Sequence, residues 1–345
     1  MPSIKPWYDI AIPHEDIRQG RLSEAVFAAN LWAVVQKSVP EMYGESDLEV
    51  PSVYLDPEAF FAKTHLTVGL SNVLRKVARA LSGDGEGGER IISLQTSFGG
   101  GKTHSLVALW HLASHIDVIK SSPACADVRK ALGKTLPQKI NSVAVFTNQT
   151  CDPTQGRQTP SGIHTRTMWG ELALQLGGKE LYQEIEANDQ SQAVPKGVYA
   201  KILQRAAPCL ILLDEIADYC ISASAVRVVD SNLADQTISF IQELTEAASQ
   251  VNGVAVIATL PASYMEVASS ERGQEILGSL ERRFGRMSSD LRPVSDEEIY
   301  EVVRRRLFES LGEPAEQKKV IDAYLKMYAQ HPNENPNRRR QRHVS

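Results

Sequence analysis

The residues with the plainest chemical capacity are Ser97-Phe98-Gly99-Gly100-Gly101-Lys102-Thr103-His104. They stand between an apolar stretch, Ile91 to Gln95, and a helical pattern carrying Leu106, Leu109, Trp110 and Ala113. Glycines at such a junction let backbone N–H groups turn inward on phosphate oxygens, and a helix N-terminus adds roughly half a positive charge. The run therefore reads as a phosphate-binding loop, in which Lys102 reaches the β- and γ-phosphates and the Thr103 hydroxyl ligates Mg²⁺. One departure from the G-x-x-x-x-G-K-[ST] spacing is present: Thr96 occupies the first glycine position.

A second group of residues completes the same chemistry. Cys209-Leu210-Ile211-Leu212-Leu213 runs directly into Asp214-Glu215. An apolar run ending in two acids reads as a buried parallel strand with carboxylates at its C-terminal edge, where open α/β sheets bind ligands. There Asp214 holds the Mg²⁺ shell, and Glu215 orients and deprotonates the attacking water, a role worth about 10²–10⁴-fold in rate. Another strand, Val254 to Thr259, ends in a hydroxyl. Two readings of Thr259 stay open: contact with the γ-phosphate or attacking water, or capping of the turn before Pro261.

The elements that must position these residues alternate strand and helix, so the fold class expected is α/β, a parallel central sheet flanked by helices. Residues 1–60 read as an extension packed on the core, with a helix over 22–35. A core over 61–292 opens with an amphipathic helix carrying Leu70, Val73, Leu74, Val77 and Leu81. Lys102 and Asp214 lie far apart in sequence, which places an insertion around 148–200. Ser295 and Glu298 have capping-box spacing and open a partial helical lid over 293–332. Residues 333–345 carry no apolar period and read as a disordered basic tail.

Bulk properties narrow the classes further. The 345 residues suffice for one large or two ordinary domains, and a formal charge of −5 gives no global basic field for nucleic acid. The four cysteines, Cys125, Cys151, Cys209 and Cys220, have neither paired spacing nor a framework, which fits reduced thiols. No apolar run approaches the ~18–20 residues of a membrane span, and the N-terminus lacks a signal-peptide core. The expectation is a cytoplasmic protein without membrane association.

The order of loop, helix, strand, acidic strand, polar-tipped strand and an Arg-Phe segment resembles AAA+ P-loop ATPases. In that class the Arg before the Phe often acts as an arginine finger on a neighbouring subunit, which implies Arg283 here, with Arg282 and Arg286 as competitors, and a homo-oligomer. More narrowly, four stretches resemble an uncharacterised ATP-binding family encoded beside DNA methyltransferases and helicases in prokaryotic phage-defence loci. They are Thr64 to Leu70, Phe98 to His104, Trp169 to Ala173 and Leu212 to Tyr219. That resemblance implies ATP and Mg²⁺ as cofactors and methyltransferase or helicase partners. Its members are much longer, so it also implies an incomplete lid and a truncated product.

Other signals carry less. His111 and His115 have zinc-site spacing, yet Leu112 stands where a zincin needs glutamate. Asn148-Gln149-Thr150-Cys151 is not the Asn-Lys-x-Asp guanine reader, and Ala217 is not the acid or histidine of a DEAD-type helicase. Arg304 to Arg306 and Arg338 to Arg342 are the only local basic elements that suggest DNA. The leading expectation is a Mg-dependent ATPase coupling hydrolysis to partner or subunit rearrangement. Its alternatives are a non-hydrolysing nucleotide switch or scaffold and a DNA-binding loader.

Overall fold

Four apolar segments, buried on both faces, and one short edge segment build a parallel sheet. In the computed structural model these are β1 (Ile91–Thr96), β2 (Ser142–Phe146), β3 (Cys209–Leu213), β4 (Val254–Pro261) and the short β5 (Ser289–Leu291), in the order β5-β1-β4-β3-β2. The structure describes residues 5–20, 29–83, 90–96, 101–261, 271–285, 289–291 and 294–330. Ser97, Phe98, Gly99, Gly100, Arg286 and the basic tail lie outside them, so the expectations placed there are neither met nor missed.

Successive strand residues face opposite sides, and both sides are apolar. Ile92, Leu94, Val145, Leu210, Leu212, Ala255 and Ile257 belong to one core, with α3 (Val68–Leu81) and α4 (Lys102–Ser114). Ala144, Phe146, Ile211, Leu213, Val256 and Ala258 belong to the other. That face is covered by α5 (Met168–Gln183), α6 (Ile216–Ala223), α7 (Leu233–Gln250) and α8 (Glu271–Gly285). Helix α4 is buried on nearly all sides, from Ser105 through Ala113, which suits an element whose first turn carries Lys102 and Thr103.

The stretch read from sequence as one N-terminal extension is divided. Helix α1 (Leu31–Ser38) and helix α2 (Pro57–Lys63) join the first core through Leu31, Trp32, Val34, Phe60 and Phe61. Within the helix expected over 22–35, the described part begins at Leu31, where the Asn30 side chain accepts from the Ala33 N–H at 3.0 Å. Residues 5–20 instead group with residues 300–330, because Ile12–Pro13 pairs antiparallel with Phe308–Ser310. In that unit the His14 ring bonds the Arg305 carbonyl at 3.0 Å, and a helix spans Pro314–Gln330.

The Ser295/Glu298 capping box forms, opening a 3₁₀ turn that continues as the helix Ile299–Leu307. The Glu298 carboxylate also accepts from Val68 N–H at 2.7 Å, at the start of α3. Edge strand β2 has side chains on its open backbone groups: Gln175 of α5 accepts from Val145 N–H at 2.6 Å, and the Tyr43 hydroxyl donates to Val143 O at 3.2 Å. Among the described residues no helix is long and apolar enough to cross a membrane.

Candidate functional site

Register decides what meets at the C-terminal edge of the sheet. Leu213 pairs with Ala258 and Leu94 with Thr259, so the residue after Leu213 and the last hydroxyl of β4 come level. Thr259 Oγ1 donates to Asp214 Oδ1 at 2.5 Å and accepts from the Glu215 N–H at 3.2 Å. Asp214 N–H still bonds Phe146 O at 2.9 Å, which holds its backbone in the ladder with β2. Both side chains are buried, Asp214 at 5% and Thr259 at 3% exposure. Of the two sequence readings of Thr259, capping of the turn before Pro261 is not the contact observed; its hydroxyl ties the two acids together.

Glu215 occupies the left-handed region at φ 53°, ψ 33°, as the N-cap of α6. A left-handed non-glycine residue costs roughly 1–3 kcal/mol and persists only where its surroundings hold it. Here the hold is the Thr259 hydroxyl on its N–H together with the Asn148 side chain on its carboxylate. The backbone twist turns Glu215 out of the strand, so Asp214 stays in the edge while Glu215 is exposed.

At the start of α4, Gly101 adopts φ 77°, ψ 16° as the N-cap, a conformation glycine takes without strain. This puts Thr103 within hydrogen-bonding reach of the Asp214 carboxylate and the Lys102 charge near both Asp214 and Glu215. Burial pushes the Asp214 carboxyl above its ordinary range, opposed by hydrogen bonds from Thr259 and Thr103, by Lys102 and by the Glu215 N–H. Glu215 is also raised, first by burial and then by the charges of Asp214 and Asp218, while Asn148 and Lys102 pull it down. Asp218, one turn into α6, is raised by burial.

Lys102, Thr103, Asp214, Glu215 and Thr259 are therefore brought together. His104 and Arg283 are not. The His104 ring stacks on Phe60 at 4.7 Å between centroids and bonds the Thr64 hydroxyl at 3.1 Å, anchoring α4 to α2. Since the Thr64 hydroxyl donates to Phe60 O at 2.7 Å, it accepts from His104. Arg283 lies in the last turn of α8 and bonds Gln242 of α7, on the element that descends from the site edge. Asn148 is a site residue that sequence reading used only to exclude a guanine site. Its signal was position: it follows the end of β2 by two residues, as Glu215 follows the end of β3.

The Trp169 to Ala173 motif is structural. Glu171, with no exposed surface, takes a bidentate pair from Arg157 at 2.7 and 2.6 Å and a bond from the Thr165 hydroxyl. Gly170 leaves room for Asp189, whose carboxylate accepts from Thr167, Tyr182 and the Arg166 N–H. The histidine pair is a packing feature: His111 bonds Tyr54 O at 3.0 Å, and burial lowers it to about 3. Among the described residues no three His, Cys, Asp or Glu side chains cluster to hold a metal.

A family model described as the DUF499 N-terminal domain matches residues 15–284. The chain belongs to that family. The DUF499 match takes in α1 to α8, strands β1 to β4 and every residue of the carboxylate cluster. No curated protein matches the sequence.

Proposed function

We propose that this DUF499 chain is a Mg-dependent ATPase of the P-loop, AAA+-like type. The observation that carries the reading is the convergence of Lys102, Thr103, Asp214, Glu215 and Thr259, from two strand ends and one helix start, on a single sheet edge. The donor set fits Mg·ATP: a hydroxyl and a carboxylate already in contact are hard oxygen ligands, and a lysine charge beside them suits phosphate. Bound Mg²⁺ supplies charge neutralisation on the phosphates.

The chain's own residues do the rest. Lys102 and the N-terminus of α4 draw the phosphates. Thr103 and Asp214 hold the cation, and Thr259 fixes the Asp214 rotamer by its short hydrogen bond. Glu215, its carboxyl raised by burial and by two neighbouring acids, takes the proton of an attacking water. Phosphoryl transfer needs mainly positioning and electrostatics, which such an arrangement provides. By family resemblance the setting is phage defence, in the cytoplasm, with methyltransferase or helicase partners and an oligomer in which Arg283 of one copy serves the next.

Phosphate release by wild type, Lys102→Ala and Glu215→Gln, with and without DNA, tests the reading. Turnover abolished by both substitutions is expected, with Glu215→Gln retaining nucleotide. Wild-type turnover no higher than that of Glu215→Gln would refute hydrolysis. Retained nucleotide in that case would point to the switch instead.

A further inference from the structure

Helix α4 carries Lys102 and Thr103 in its first turn and is buried from Ser105 through Ala113. Apolar burial is non-directional, so by itself it does not set how far α4 reaches along its own axis. Gly101, the N-cap, contributes no side-chain bond. Directional contacts along α4 are what fix where Lys102 and Thr103 stop.

Two such contacts flank one ring. His104 and His111 lie seven residues apart on one face of α4, a rise of about 10.5 Å. Phe60 of α2 meets both: its ring centroid lies 4.7 Å from that of His104, stacked at 29°, and 5.0 Å from that of His111 at 42°. The ring is wedged between them, and α4 cannot slide either way along its axis without driving a histidine into it. Each histidine is also bonded. His104 Nε2 donates to the Thr64 hydroxyl at 3.1 Å, and His111 Nε2 donates to Tyr54 O at 3.0 Å.

The wedge is itself fixed. Phe60 is 1% exposed, in a helix whose N-terminus is capped by the Asp56 carboxylate on Glu58 N–H at 2.8 Å. Thr64 closes the other end, its hydroxyl donating to Phe60 O at 2.7 Å. The residues after it are held as well: the Thr67 hydroxyl accepts from Leu70 N–H at 3.0 Å, and Val68 N–H bonds Glu298 at 2.7 Å.

We infer that the Phe60 wedge is the axial stop of α4, and that His104, through its bond to Thr64, is a positioning residue that sets the reach of Lys102 and Thr103 toward phosphate and metal. The link to the site is covalent, because His104 follows Thr103 in the same turn. This role takes that turn as the nucleotide site, and so rests on the ATPase reading. It joins the stretches Thr64 to Leu70 and Phe98 to His104, whose end residues, Thr64 and His104, are bonded to each other.

Thr64→Val keeps the shape of the side chain and removes its hydroxyl, whereas His104→Phe keeps a ring on Phe60 and removes the donor. The double variant, and Thr64→Ser, which retains a hydroxyl, complete the set. Two readouts are taken on the full chain: affinity for a fluorescent ATP analogue with Mg²⁺, and amide hydrogen exchange over 105–108 and 109–114. Ser105 N–H bonds Gly101 O at 2.9 Å, so the first of these segments reports the first turn of α4.

Expected are roughly tenfold weaker analogue binding by each single variant, no further loss in the double, and wild-type binding by Thr64→Ser. Exchange over 105–108 quickens while 109–114 keeps its wild-type rate. Side chains that only held the fold together would lower urea stability when replaced and leave the affinity of the folded protein alone. Binding within about twofold of wild type in both single variants overturns the inference, as does a double variant whose loss is the product of the two. If wild type binds no analogue, the ATPase reading falls and exchange decides: faster exchange over 105–108 in both single variants supports the stop, and unchanged exchange there overturns it.

Discussion

Replacing Thr259 with valine removes one hydroxyl while keeping nearly the same shape, so the cost falls on two hydrogen bonds. The bond to Asp214 Oδ1 is charge-assisted and buried, worth about 1.5–3 kcal/mol, and the Glu215 N–H it accepts is left without that partner. Because Glu215 is itself exposed, water compensates part of the second loss. The expected destabilisation of the apo protein is about 2–4 kcal/mol. Burial already raises the folded-state pKa of Asp214, and losing the Thr259 hydroxyl raises it further. A carboxyl raised on folding stabilises the fold below its unfolded pKa and loses that contribution as pH rises through the folded value. Thr259→Val therefore costs more at pH 7.5 than at pH 5. Urea denaturation at the two pH values measures this, and a Mg²⁺ titration of nucleotide binding reports the loosened Asp214. A change below about 0.5 kcal/mol at both pH values, with unaltered Mg²⁺ dependence, would refute the assignment of Thr259 as the tie between the acids.

Three further outcomes are expected. Gly170→Ala places a Cβ 2.1 Å from Asp189 Oδ1, in a carboxylate pinned by three donors, and is expected to cost about 2–3 kcal/mol in urea melts. His111 is depressed to about 3, so the unfolded chain binds a proton that the folded one refuses; stability is expected to fall by about 1.4 kcal/mol per pH unit below 6.5, with His111→Asn showing a shallower slope. Asn148→Ala is expected to lower kcat and shift its acid limb upward while leaving nucleotide affinity unchanged, read from pH–rate profiles and analogue titrations.

Much of the scaffold was legible because its signals are local. Cys209 to Leu213 and Val254 to Ala258 are apolar without alternation, which only a strand covered on both faces permits, and both are fully buried. The helix Leu233–Gln250 and the capping box at Ser295 follow from residue spacing over one or two turns. Lys102, Thr103, Asp214 and Glu215 could be placed at a helix start and a strand end because both are chain-local events. The division of the first sixty residues was not legible, since the pairing of Ile12–Pro13 with Phe308–Ser310 joins segments almost the full chain apart.

Sequence by itself determined the types of the site residues and the edge on which they sit, because strand direction and the glycine-rich turn before α4 follow from local pattern. Tertiary structure decided their relations. The place of β4 between β1 and β3 brought the Thr259 hydroxyl to Asp214 rather than to the turn before Pro261. The approach of α2 turned His104 onto Phe60 and Thr64. The pairing of β2 with β3 made Asn148 a partner of Glu215. Each is a contact between side chains whose elements are neighbours only once the sheet order is fixed, and sheet order is a property of the packed chain that no local spacing encodes.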